Sequence, residues 1–159
     1  MVPANSGQLY QFLTSVTFLS GFFSWFMAQL LKLIIEALRS RPSVSRDIAL
    51  GLAWRTGGMP SSHSSLVTAI ATALGFEYGV SSPLFTLSLF YGIVVIRDAL
   101  GVRRSAGLQA QALNKLGNQL KETYNVDFTP VEEIHGHTPS EVSVGILLGF
   151  FIATAFSLL

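Results

Sequence analysis

The chain lacks cysteine and has few charged residues. Without cysteine there can be no disulfide, thiolate nucleophile or cysteine metal site. Charged residues make up 12% of the 159 residues and hydrophobic residues 50%. Soluble domains carry about 25% charged residues, so this chain has too few polar side chains to cover a surface that faces water. The composition therefore predicts a membrane protein.

The chain also lacks a strong net charge. Its formal net charge is +1 at pH 7. A charge this small gives no broad attraction to a polyanion, so we expect no nucleic-acid partner. Partners have to be inferred from local clusters of residues.

Four stretches with few or no charges predict membrane-spanning helices. They cover residues 9–31, 64–80, 83–96 and 142–159. In the second stretch, Gly75 and Gly79 have the spacing of a small-xxx-small helix contact. Lys32 follows the first stretch directly and is expected at the end of that span.

One further helix is predicted outside these stretches. Residues 105–124 place Leu108, Leu116 and Leu120 at helical spacing, as in a helix that lies on the membrane surface or against the bundle. Residues 125–133 are polar and predict a loop. The expected fold class is all-α: a polytopic membrane helix bundle of about four transmembrane helices plus an interfacial amphipathic helix. We expect one integral-membrane domain over residues 1–159.

Basic residues concentrate in the two longer loops, and the turn between the second and third stretches has none. Under the positive-inside rule, both longer loops face the cytoplasm. Arginines retained for catalysis would produce the same bias. The basic residues of these loops are Arg39, Arg41, Arg46 and Arg55 in the first and Arg97, Arg103, Arg104, Lys115 and Lys121 in the second.

A glycine turn precedes the second stretch and leads directly into a helix start. The segment contains Gly58 and, three residues later, the consecutive residues Ser61, Ser62 and His63. Unpaired N–H groups and the positive end of a helix favour a bound anion such as phosphate. His63 could then act as a proton donor. An ordinary loop with a serine cap is the alternative interpretation.

The second cluster precedes the last stretch. Thr138, Pro139 and Glu141 fit the N-cap, first-turn and capping-box positions of a helix. Glu141 also follows His137 by four residues, so its carboxylate could hold one imidazole nitrogen and leave the other free to attack. The two interpretations are compatible.

A third group of charges, Asp98, Arg103 and Arg104, follows the third stretch. Charges at the end of a span are costly and are often functional. The alternative is that the arginines, like Lys32, only anchor the helix ends at the membrane surface. The histidines and Asp98 lack the spacing of a zinc motif, so we expect no metal and no cofactor.

Three segments together resemble the phosphatidic acid phosphatase type 2 superfamily, which includes the vanadium-dependent haloperoxidases. They are TGGMPSSHSS at 56–65, RDALGVRR at 97–104 and GHTPSEVSVG at 136–145. They look most like its short, divergent bacterial and plant branch. We expect an integral protein of the bacterial cytoplasmic membrane, and the positive-inside rule places its catalytic loops on the cytoplasmic side.

In that superfamily, a Pro-Ser-Gly-His motif contacts phosphate, and its histidine protonates the leaving group. Here Ser62 replaces the glycine of that motif. A second histidine, followed four residues later by aspartate, is the nucleophile. His137 and Glu141 keep this spacing with glutamate for aspartate, whereas Pro139 stands four residues after His135. The resemblance therefore implies His137 as nucleophile.

The chain departs from the superfamily at its basic residues. Six residues before the nucleophile, Val131 stands where the superfamily has arginine, which makes Arg103 or Arg104 the natural substitute. In the first motif Lys32 keeps its place, but the Arg-Pro pair is displaced to 41–42. The resemblance implies His137, His63 and Glu141 as catalytic residues. The substrate-binding residues would be Lys32, Arg103, Arg104, Gly58, Ser61, Ser62 and Asp98.

The sequence thus predicts a membrane phosphatase for a lipid phosphate or diphosphate monoester, acting through a phosphohistidine without a metal. Membrane lipids are its expected surroundings. The bundle is small for enclosing a site, so a second copy of the chain, in a homodimer, is a further candidate partner. The alternative is a scaffold or transport protein that keeps the fold without turnover. Haloperoxidase chemistry ranks below both, because a lipid interface suits a lipid substrate.

Overall fold

The computed structural model describes residues 6–39, 58–133 and 136–159. The regular elements in these ranges are all α-helices, which confirms the all-α prediction. His135 and most of the first basic loop, with Arg41, Arg46 and Arg55, lie outside the described residues. The helices are α1 (Ser6–Thr14), α2 (Val16–Arg39), α3 (Ser62–Tyr78), α4 (Pro83–Leu100), α5 (Val102–Tyr124) and α6 (Pro139–Leu158).

Three helical runs of the described chain are long and apolar enough to cross a membrane: Val16–Leu38, Pro83–Tyr124 and Pro139–Leu158. The protein is thus a polytopic helical membrane bundle, as predicted. The remaining predicted span corresponds to α3, which has 17 residues. A helix of this length measures about 25 Å, less than the roughly 30 Å of a hydrocarbon core.

The first predicted span has the wrong boundaries. The helix breaks at Ser15, whose hydroxyl accepts a hydrogen bond from the N–H of Phe18 at 3.3 Å. As a result α2 starts later than predicted and continues to Arg39, with Lys32 inside it. Lys32 is only 7% exposed. An uncharged stretch indicates a chain segment that suits lipid. It does not indicate where the helix ends, because a lysine that faces the bundle interior can lie within the helix.

The helices α4 and α5 follow one another with only Gly101 between them. Gly101 donates its N–H to Arg97 at 2.8 Å and accepts from Ser105 at 2.9 Å. The predicted surface helix therefore begins at Val102 instead of residue 105. Of the described helices, α5 packs against α4 alone.

The central helix is α3, which packs against α2, α4 and α6. Glycines allow α6 to approach it closely, because a Cβ at Gly145 or Gly149 would collide with the carbonyl oxygen of Ser61 or Ser65. Gly75 and Gly79 do not form one small-xxx-small contact, because Gly75 alone of the two packs against a neighbouring helix, at the Phe85 ring of α4. Gly79 caps α3 from outside the helix, with a φ of +81° and open space around it. The small-residue seam lies instead between α3 and α6, and it sets their first turns side by side.

Candidate functional site

Four helix ends meet at one end of the bundle, where α2 and α4 end and α3 and α6 begin. Ser61 donates its N–H to the carbonyl of Glu141 at 3.0 Å, which joins the starts of α3 and α6. His137 donates its N–H to the carbonyl of Ala99 at 3.3 Å, which ties the approach to α6 to the last turn of α4. These main-chain bonds bring the separate sequence clusters together.

The His137 side chain is buried and braced by a carboxylate. It is 6% exposed, and its Nδ1 lies 3.1 Å from Oε2 of Glu141. The same oxygen accepts the N–H of Thr138 at 3.0 Å, which completes the capping box. Both interpretations of Glu141 therefore hold in one geometry. With Nδ1 facing the carboxylate, Nε2 is the ring nitrogen left for chemistry.

His63 lies in the first turn of α3 with an exposed side chain. Partial burial lowers the pKa of His63, and the charges of Arg103, His137 and Lys32 lower it further. Asp98 acts in the opposite direction. Each of these groups therefore lies close enough to His63 for its charge to act on that imidazole.

Lys32 approaches the site from α2. A Cβ at Gly58 would lie 3.6 Å from the aliphatic stem of Lys32, so the glycine turn rests on that stem. Gly58 has a φ of +86°, a backbone conformation that glycine adopts without strain. The charge of Glu141 also acts on Lys32. The lysine thus enters a site that already contains the braced histidine.

The two arginine candidates lie in different surroundings. Nε of Arg103 donates to Oδ2 of Asp98 at 2.6 Å, and both side chains are partly exposed. Arg103 is the arginine whose charge acts on His63. Arg104 contributes its backbone, against which Gly136 packs so tightly that a Cβ there would overlap it. The geometry favours Arg103 over Arg104 as the residue that faces an anion.

One part of the predicted anion cradle is wrong. Ser61 was expected to offer its N–H to phosphate, but that N–H is bonded to Glu141 and its side chain is fully buried. The Ser61 hydroxyl caps α3 by accepting the N–H of Ser64 at 3.4 Å. Ser62 is also buried. The N–H groups of Ser62 and His63, at the first two positions of α3, have no acceptor within the helix and are the ones available to an anion.

Ala99, which anchors His137 through its carbonyl oxygen, is not among the residues predicted from the sequence. No side-chain pattern reveals such a contact, since every residue carries the same group. In the described ranges, no three histidine, aspartate or glutamate side chains are grouped so that they could hold a metal ion.

Comparison with known proteins identifies the family of the chain. The model of the family described as "Divergent PAP2 family" matches residues 13–152, which include every candidate site residue. The protein named "Uncharacterized membrane protein YuiD" from Bacillus subtilis (strain 168) is 37% identical over 153 residues, covering 89% of this chain and 94% of the relative. No solved structure matches the chain. The chain therefore belongs to the divergent PAP2 family.

Proposed function

We propose that this protein is a metal-independent membrane phosphatase that hydrolyses a phosphate or diphosphate monoester of a lipid. The observation that carries the proposal is the buried His137, whose Nδ1 lies 3.1 Å from Oε2 of Glu141 and whose ring lies near His63. A nucleophile oriented by a carboxylate, with a proton donor on the neighbouring helix start, is what phosphoryl transfer through a covalent intermediate requires.

In the first step, Nε2 of His137 attacks phosphorus and forms a P–N bond. The bond from phosphorus to the leaving oxygen breaks, and protonated His63 gives its proton to that oxygen. Glu141 stabilises the positive charge that develops on the imidazole of His137. The product alcohol or phosphate leaves, and the phosphoryl group stays on the enzyme.

In the second step, water attacks the phosphohistidine. Neutral His63 takes a proton from the water as the new P–O bond forms, and the electrons of the P–N bond return to His137. Inorganic phosphate leaves and His63 is protonated again, so the cycle closes with no net change in the enzyme.

The charge on the transferred phosphoryl oxygens needs fixed positive groups in both steps. Lys32 and Arg103 supply charge, and the N–H groups of Ser62 and His63 supply donors at the start of α3. Arg103 takes the role of the arginine that Val131 replaces. Asp98 holds the Arg103 guanidinium through Nε and leaves its terminal nitrogens for phosphate.

The distribution of basic residues supports placing this end of the bundle at the cytoplasmic face. The basic residues concentrate in the loops that adjoin it, and the positive-inside rule assigns such loops to the cytoplasm. Lipid headgroups lie at the ends of membrane-spanning helices, so a lipid phosphate could reach the site without leaving the bilayer. The bacterial cytoplasmic membrane is the proposed location.

A second candidate is a scaffold or transport protein that keeps the fold without turnover. It is favoured by the pairing of Arg103 with Asp98, which already offsets the guanidinium charge. Phosphate release by detergent-purified protein from phosphatidate, phosphatidylglycerol phosphate and polyprenyl diphosphate separates the two candidates. Vanadate binding without turnover would favour the second.

Replacement of either histidine tests the roles directly. We expect His137→Ala and His63→Ala to abolish phosphate release, while their elution profiles and melting temperatures stay near those of the parent protein. A well-folded His137→Ala protein with full activity would remove His137 from the role of nucleophile.

A further inference from the structure

The segment that leads into His137 is fastened to α5 by one side chain. Asn114 donates from Nδ2 to the carbonyl of Val131 and to Oε1 of Glu133, both at 2.9 Å. Its Oδ1 accepts the N–H of Val131, also at 2.9 Å. Asn114 is 8% exposed.

These bonds satisfy the whole main chain of Val131. A residue of irregular structure has no ladder or helix partner for its N–H and C=O, so the pairing must come from elsewhere. Asn114 supplies both partners with one amide, as a neighbouring strand would. The position of Val131 along α5 is thereby fixed.

Further contacts run in the same order along the segment. The ring of Phe128 packs over Gly117, where a Cβ would overlap it, and Gly136 packs against the backbone of Arg104. The described residues 128–133 and 136 therefore follow α5 in the antiparallel direction, from Gly117 past Asn114 to Arg104. The segment ends where His137 bonds to Ala99.

We propose that Asn114 is a positioning residue for His137. The inference rests on the proposed function, because it assigns to Asn114 the alignment of the attacking nitrogen. Asn114 fixes the register of residues 128–133 on α5, and this register determines how far Nε2 of His137 reaches over the site. Glu141 then sets the rotation of the ring.

Lys32 and His63 do not depend on this fastening, and Arg103, in the first turn of α5, is held by Asp98 of α4. Lys32 lies on α2 and His63 on α3, and α5 packs against neither helix. Loss of the Asn114 bonds should leave binding of a ground-state phosphate nearly intact and impair the in-line attack. A misplacement of the nucleophile by about 1 Å costs on the order of 10²-fold in rate.

The test compares Asn114→Ala with Asn118→Ala, an exposed asparagine one turn further along α5. We measure kcat and KM on a lipid phosphate and the dissociation constants of inorganic phosphate and vanadate. Vanadate bonds to the nucleophile in the geometry of phosphoryl transfer, whereas phosphate needs only the cations. In Asn114→Ala we expect kcat to fall about 10- to 100-fold and KM to change less than about threefold. Vanadate should bind about tenfold or more weakly and phosphate almost unchanged, with Asn118→Ala like the parent protein.

A rescue pair separates positioning from general loss of packing. Asn114→Asp sets a carboxylate against Glu133 and should lower kcat as the alanine does. Adding Glu133→Gln returns a donor to the contact and should restore part of kcat. If Asn114→Ala does not fold, this pair gives the same comparison.

The possible failures are distinguishable. A parent protein that releases no phosphate and binds neither anion would overturn the proposed function, and this inference with it. An active parent whose Asn114→Ala variant matches Asn118→Ala in kcat and vanadate affinity would overturn the positioning role alone. Equal weakening of phosphate and vanadate, or no recovery in the double variant, would also contradict it.

Discussion

The two ends of the bundle each carry a glutamate that bonds to a neighbouring element, yet among the described residues histidines and a buried lysine gather at one end alone. At the site end, the partly buried Glu141 braces His137. At the far end, the exposed Glu77 of α3 accepts the hydroxyl of Thr17 in α2 at 3.0 Å. The same type of side chain thus joins two helices at the far end, through Glu77, and orients the proposed nucleophile at the site end, through Glu141.

Helix orientation does not explain the difference. Two of the four core helices begin at each end, α3 and α6 at the site end and α2 and α4 at the far end. The positive ends of the helix dipoles are therefore equally available to an anion. What distinguishes the site end is His63, His137, Lys32 and Arg103 gathered around its helix starts.

The largest expected contrast comes from the two glutamates. Glu141→Gln keeps an oxygen for the N–H of Thr138 but removes the charge beside His137. We expect kcat to fall about 10³- to 10⁴-fold, the size of the loss when the carboxylate partner of a catalytic histidine is replaced by an amide. Glu77→Gln should leave kcat within about twofold, because exposed contacts away from the site cost little. Phosphate release by both variants checks this. A large loss in Glu77→Gln with normal melting would break the comparison.

The second contrast concerns glycines near the two ends. Gly145→Ala places a methyl against the carbonyl of Ser61 and should destabilise the bundle by about 2 kcal/mol while separating the two histidine-bearing helix starts. Gly75→Ala meets the ring of Phe85 at 3.1 Å, a side chain that can shift, and Val80 at an ordinary contact distance of 3.9 Å, so its cost should stay below about 1 kcal/mol. Melting in mild detergent, with activity measured alongside, tests the ranking. Equal melting of the two variants would contradict the close seam.

The smallest expected effect is a shift of the pH profile. As the proton donor, His63 must be protonated, so kcat/KM should fall as pH rises through a pKa that lies below the ordinary value of 6.5. Burial is the main cause of this low pKa and Arg103 the next. Arg103→Gln removes one of these causes, so the alkaline limb should move to higher pH by less than about one unit. A limb that stays in place or moves down would argue against His63 as the acid.

The helix starts could be predicted from the sequence because their signals are local. The start of α6 is indicated by Thr138, Pro139 and Glu141. Because Glu141 follows His137 by four residues, its carboxylate reaches the imidazole. Membrane character also follows from composition. These features depend on neighbours in the chain, which the sequence displays directly.

The remaining features depend on contacts between distant segments. The sequence pattern predicted Ser61 as a donor to an anion, but its N–H donates to the carbonyl of Glu141. The pattern also predicted Lys32 at the end of a span, but α2 continues to Arg39. The fastening of Val131 by Asn114 joins residues 17 positions apart. Such pairings are set by packing, and no spacing rule reports them.

The central claim is that His137 carries the phosphoryl group during turnover. The most direct test mixes detergent-purified protein with a ³²P-labelled lipid phosphate, quenches in alkali, which preserves phosphohistidine, and maps the label by peptide digestion. The account predicts label on the peptide that contains His137 in the parent protein and none in His137→Ala. Steady phosphate release by the parent protein with no label on that peptide would contradict it.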